Sequence, residues 1–302
     1  MKHCIFLFQL YIISCQLRIL KLLLQANFQI MSRSQNFLKN FILFAGNYTL
    51  DQASNFQANM AFIGAVFHAV CQVVAHPRRV HWRETIYYMN LCGCQSLPVV
   101  GSITLAMGLI IGFQASIQMQ RFGTDLMVAD LVAFSTLKTL GPLMVAIIST
   151  GRAGSAFAAE IATMKCNDEI SALSTMAINP YSFLVIPKFI AMLAMLPLLT
   201  ILGDAFGLLG GLIVGVFMLD IPVETYITRT NEVIEPGIFL FGVLKSYAFA
   251  ILITLIGCAK GFLAETTALG VGRATTKAVV DGIFVLVLAD GFITLIYWFF
   301  GV

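Results

Sequence analysis

Four ionisable residues stand inside stretches otherwise built from apolar side chains: Lys138, Asp204, Lys245 and Asp290. On insertion scales a charge at the centre of a membrane helix costs about 2.5 to 3.5 kcal/mol, so none of them should face lipid. Each falls within two or three residues of the middle of its stretch, which predicts a shared depth. Two cations and two anions at one level could pin the helices together, or could hold a polar headgroup or an ion in transit. Spacing alone leaves both open.

Other chemistries are poorly served. The four histidines, His3, His68, His76 and His81, all precede the first long apolar run, so no nucleophile has a base within the membrane part. Seven cysteines form no C-x-x-C pair, and Cys92-Gly-Cys94 is too little for a metal site. There is no G-x-x-x-x-G-K-[ST], H-E-x-x-H or G-x-S-x-G, and Gly270-Val271-Gly272 lacks the strand context of a nucleotide site. No enzyme activity, cofactor, metal or nucleic-acid partner is expected, and any energy must come from another chain or from a gradient.

The elements that must position these residues follow from composition. At 59% hydrophobic and 11% charged over 302 residues, the chain lacks the polar surface to cover a soluble globule. Five runs can each cross a hydrocarbon core of about 30 Å: 97–118, 126–149, 186–219, 237–258 and 279–300. The third is long enough that it tilts or that its turns around Pro187 and Pro197 lie at the interface. It carries Gly203, Gly207, Gly211 and Gly215 on one face, a groove for bundle packing or for dimerisation.

Connections 119–125 and 220–236 are neutral to acidic. Those with Arg78, Arg79 and Arg83, with Arg152, Lys165 and Lys188, and with Lys260, Arg273 and Lys277 are basic. The positive-inside rule places the basic ones in the cytoplasm, with the N-terminus inside and the C-terminus outside. The fold class expected is an all-α integral membrane protein of about five transmembrane helices. Residues 58–96, broken by Pro77, read as interfacial amphipathic helices with Trp82, Tyr87 and Tyr88 at headgroup level. Residues 1–57 form an extension of uncertain status: a sixth membrane element and a start at Met31 or Met60 are equal readings.

One interruption stands out, GRAGSAFAAEIATMKCNDE at 151–169. Gly151 to Ala159 would close the second span. Asn167, Asp168 and Glu169 then suit the N-cap and first turn of a short helix through Ile178, ended by Asn179-Pro180. Its stripe of Ile170, Leu173, Met176 and Ala177 fits either a membrane surface or a partner's groove.

The string LKTLGPLMVAIISTGRAGSAFAAEIATMKCNDEISALSTMAINPYSFLVIPKFIA, with LPLLTILGDAFGLLGG and GVGRATTKAVV after it, resembles the MlaE family of ABC-transporter permeases over about residues 60–302. The resemblance implies a permease domain over 97–302, working as a homodimer in the cell inner membrane, or the inner envelope membrane of a plastid. It implies a cytoplasmic ABC ATPase that hydrolyses ATP, a periplasmic MCE-domain protein, room for a small STAS-domain protein, and phospholipid as substrate. By the same resemblance the short helix is a cytoplasmic coupling helix, so that Glu160, Asp168, Glu169, Ile170, Leu173 and Met176 serve coupling to the ATPase. Lys138, Lys245 and Asp290 match positions where the family tends to carry charge and would line the lipid pathway. Thr139 departs from the family, which often has an acidic residue there, and Asp204 could supply the missing charge; Asn179 replaces a usual Asp. A gradient-driven secondary transporter using the midplane charges is the alternative.

Overall fold

The computed structural model describes residues 62, 64–69, 81–234 and 236–299. The extension at 1–57 lies outside the described residues, as do Pro77, Arg78 and Arg79. The described elements are helical throughout: α1 (Trp82–Cys92), α2 (Leu97–Gln120), α3 (Met127–Ser135), α4 (Gly141–Ser149), α5 (Ser155–Cys166), α6 (Glu169–Thr175), α7 (Pro180–Leu219), α8 (Val223–Val233), α9 (Pro236–Phe262) and α10 (Ala268–Phe299). Two π-helical turns, Thr136–Leu140 and Thr150–Gly154, join α3 to α4 and α4 to α5 without a break. Five stretches are long and apolar enough to cross a membrane: α1 with α2, α3 through α5, α7, α9 and α10. The protein is an all-α integral membrane protein.

The second and third spans run further than their hydropathy peaks. The second continues through the small-residue interruption to Cys166, so Gly151 to Ala159 does not close it. Phe157, Ala158, Ile161 and Ala162 there are buried against neighbouring helices. Small residues serve close approach: a Cβ on Gly257 of α9 would lie 2.8 Å from the Gly154 carbonyl, and one on Gly282 of α10 would lie 2.6 Å from the Thr150 methyl. Low hydropathy here marks helix contact, which small side chains permit.

The third span, α7, is one helix of 40 residues with Pro187 and Pro197 inside it. Asn179 does not end α6. It caps α7, its Oδ1 accepting from the Tyr181 amide at 3.0 Å, and Pro180 takes the first helical position. The glycine face of α7 is filled by the chain itself. A Cβ on Gly108 of α2 would overlap the Gly207 carbonyl, and one on Gly210 would overlap that of Leu105. Gly203 meets Val145 and Thr104, Gly211 meets Val132, and Gly215 meets the Tyr226 ring. On this face the four glycines meet side chains of the same chain.

The main apolar core joins α1, α4, α5, α7 and α9 through Tyr88, Phe157, Ile161, Met192, Leu196, Phe249 and Ile253. Tyr88 is buried in it, whereas Trp82 and Tyr87 are exposed. At the opposite end α8 is tied down by Arg229, which donates to both oxygens of Asp130 on α3 at 2.9 and 2.8 Å. Arg229 also pairs with Glu232 at 3.1 Å.

Candidate functional site

The sequence LKTLGP creates the first half of the site. Pro142 has no amide hydrogen to return to the carbonyl four residues back, that of Lys138. The helix widens into the π turn, in which the Gly141 amide bonds to the Thr136 carbonyl. The Lys138 carbonyl instead meets the ammonium of Lys245 on α9, 3.4 Å away. Gly242, one turn earlier on α9, permits this approach, because a Cβ there would lie 2.5 Å from the Leu137 carbonyl.

Lys245 is fully buried and sits 2.6 Å from Asp290 Oδ1 on α10. It also donates to Thr294 Oγ1 at 3.1 Å, and that hydroxyl donates to the Asp290 carbonyl at 2.8 Å. Two buried charges are tolerable in this pair because each has the other, and the Lys245 ammonium has two further oxygens within reach. Lys138 is different. It makes no ion pair among the described residues. Its ammonium lies 4.6 Å from the Phe134 ring centroid and 4.3 Å from that of Tyr297, which stacks on Phe241 at 4.1 Å. Cation–π contacts of this kind offset part of the charge's cost, about 0.5 to 2 kcal/mol each.

Asp204 does not join this cluster. It lies 15 residues from the α8 end of its helix, whereas Lys138, Lys245 and Asp290 lie nine to eleven residues from theirs. It is 3% exposed, its Oδ1 has no hydrogen-bond partner among the described residues, and it presses on the backbone of Gly141, where a Cβ would overlap it. By this count Asp204 sits further along its helix than the other three charges, and among the described residues no ion pair joins it to Lys138. Thr139 itself is half-buried.

The second candidate region surrounds α6. Asp168 stands at its N-cap in the left-handed region, φ 57°, with no side-chain capping bond, and Asn167 instead donates to Glu169 Oε1 at 3.2 Å. The helix stops at Thr175, so Met176 and Ala177 belong to the following turn, with Ala177 at φ 58°. The expected stripe is split: Ile170 packs on the main core, Leu173 is half-buried, and Met176 is 69% exposed. Glu160 lies behind α6. Its Oε1 accepts from the Tyr88 hydroxyl at 2.5 Å and from Lys188 at 3.2 Å. Lys188, counted above with a basic loop, is fully buried in α7.

The model of the family Permease MlaE matches residues 85–296. The chain belongs to the MlaE permease family. It is 34% identical to a probable ABC transporter permease protein of Rickettsia conorii over 232 residues, 77% of this chain and 89% of the relative. It is 33% identical over 219 residues to the intermembrane phospholipid transport system permease protein MlaE of Haemophilus influenzae, covering 72% and 84% of the two chains. It is 27% identical over 212 residues to the Arabidopsis thaliana chloroplastic protein trigalactosyldiacylglycerol 1, covering 70% and 61%.

In this MlaE-family permease, sequence reasoning found Lys138, Lys245 and Asp290 but missed the rings and hydroxyl around them. The signal was present: Phe134 and Lys138, Phe241 and Lys245, and Asp290 and Thr294 are each four residues apart, with Tyr297 a further three on. Such spacings share a helix face. Lys165 was likewise read as loop charge, but its ammonium takes the carbonyls of Phe262 and Ala264 at 2.7 and 2.8 Å, capping α9. Arg152 donates to the backbone and side-chain oxygens of Gln95, holding the turn between α1 and α2.

Proposed function

We propose that this chain is the membrane subunit of an ABC transporter that moves phospholipids between membranes. It works as a homodimer in an inner membrane with its N-terminus in the cytoplasm. An ATPase that hydrolyses ATP binds on the α6 side, an MCE-domain protein binds on the α8 side, and a small STAS-domain protein completes the assembly. The observation that carries the substrate class is Lys138. A cation within a membrane span, caged by Phe134 and Tyr297 and lacking a carboxylate partner among the described residues, suits a phosphate oxygen. The neighbouring Lys245–Asp290 pair is internally neutralised, so it holds the helices while Lys138 meets the headgroup. The exposed apolar residues Phe284, Leu288 and Phe292 on α10 offer a surface for acyl chains.

Coupling is assigned to α6 with Glu160, Asp168, Glu169, Ile170, Leu173 and Met176. No residue of α6 is buried, which leaves it open to a partner. Support comes from family membership and from the Haemophilus relative, which is named for phospholipid transport. The test is reconstitution of the complex in vesicles with a labelled phospholipid: transfer should require ATP and the ATPase, and Lys138→Ala should reduce it about tenfold without releasing the ATPase. Transfer by the chain alone, driven by an ion gradient, would contradict the proposal.

A further inference from the structure

The turns on both sides of α6 pose a mechanical problem. Asp168 and Ala177 hold left-handed backbone conformations at its two ends, and α6 buries no residue. A short helix attached in this way would absorb a push by flexing at its turns unless the long helices on either side were tied together. Besides the apolar core they share, they are joined by one polar cluster. Glu160 on α5 lies six residues before Cys166, and Lys188 on α7 lies eight residues after Pro180, about 9 and 12 Å from the helix ends.

The cluster is closed. Lys188 Nζ has three acceptors: Glu160 Oε1 at 3.2 Å, the Tyr88 hydroxyl at 2.9 Å and the Leu184 carbonyl at 3.3 Å. An ammonium has three donors, so none is left over. The Tyr88 hydroxyl accepts from Lys188 and donates to the same Glu160 oxygen at 2.5 Å. The Tyr88 ring lies 4.3 Å from the ammonium, and that of Phe157 lies 6.0 Å away. Lys188 and Tyr88 are buried, while Glu160 is partly exposed.

We infer that Tyr88, Glu160 and Lys188 are positioning residues that clamp α1, α5 and α7 into one rigid unit, so that displacement of α6 is delivered to the long helix α7 instead of being lost in the 167–179 connection. The inference rests on the coupling role proposed for α6. The clamp bridges residues 72 and 100 positions apart in sequence, so no local helix interaction can replace it.

The test uses the whole transporter complex in phosphatidylethanolamine and phosphatidylglycerol vesicles, comparing wild type with the double variant Glu160→Gln, Lys188→Met. Removing both charges avoids leaving one buried and unpaired. Where the double variant assembles, lipid transferred per ATP should fall about tenfold, within the range of known coupling effects. Amide exchange at 160–166 and 180–188 should also rise, with that at 242–250 unchanged. Unchanged transfer per ATP, or unchanged exchange at those helix ends, would overturn the clamp. If the double variant fails to assemble, Tyr88→Phe decides, since it keeps the ion pair: a drop of about threefold in transfer per ATP is expected, and normal coupling rejects the inference. A wild-type complex that moves no phospholipid with ATP would reject the proposed function instead, and the exchange measurement would still judge the clamp.

Discussion

Two fully buried lysines, Lys188 and Lys245, each face a carboxylate on a different helix, yet their surroundings differ in one respect. Around Lys188 the polar groups close on themselves. Around Lys245 the closed pair has a neighbour, Lys138, whose charge is met by aromatic rings alone among the described residues. The first arrangement leaves no cation for a ligand; the second leaves one that an anion would satisfy. A buried ion pair is thus weak evidence of a binding site, and a charge left over beside one is stronger evidence.

That contrast can be broken most severely by removing one partner of the second pair. Lys245→Met leaves Asp290 buried without its cation and should cost about 3 to 5 kcal/mol, whereas Lys245→Met with Asp290→Leu should restore much of that loss. Thermal unfolding in detergent would show it, and equal melting of both variants would mean that the pair does not hold α9 to α10. Next in size is Gly108→Leu, which forces α2 away from α7 where even a Cβ would overlap the Gly207 carbonyl. A destabilisation of about 1 to 3 kcal/mol is expected from such overpacking, against little for Gly151→Ala, where a Cβ meets nothing within 4 Å.

Lys138→Ala sharpens the contrast from the other side. Because Lys138 ties nothing down, the fold should melt within about 0.5 kcal/mol of wild type while transport falls. A large loss of stability would make Lys138 structural. The smallest effect concerns the α8 end, where burial, and then Asp130, push the Tyr226 hydroxyl up to about 12. Its unfolded counterpart ionises near ~10. Between those values the folded chain keeps a proton that the unfolded chain has lost, so stability falls as pH rises through that window. Tyr226→Phe should flatten the slope in chemical denaturation at high pH; an unchanged slope would place its cause elsewhere.

The five spans were legible because apolar runs of membrane length have few alternative uses. Their ends were less so. Gly151 to Ala159 reads as the close of a span because hydropathy scores a residue alone, and cannot see that Gly154 lies against Gly257 of another helix. Lys188 was read as loop charge for the same reason, since burial and pairing with Glu160 arise only once α5 and α7 are side by side. The site was half legible. Charges in apolar runs drew attention to Lys138, Lys245 and Asp290, while the aromatic residues one turn away looked like ordinary membrane-helix composition. Asp204 was also an ionisable residue near the middle of an apolar run, but its place relative to the other three charges depends on how a 40-residue helix packs against its neighbours, which composition does not show.

Native mass spectrometry of the gently solubilised complex tests the central claim, that Lys138 holds the phosphate of a phospholipid in an ATPase-coupled permease. Wild type should carry bound phospholipid and the ATPase together, and Lys138→Ala should lose the phospholipid while keeping the ATPase. Equal phospholipid in both, or a wild-type chain that retains neither lipid nor ATPase, would contradict the account.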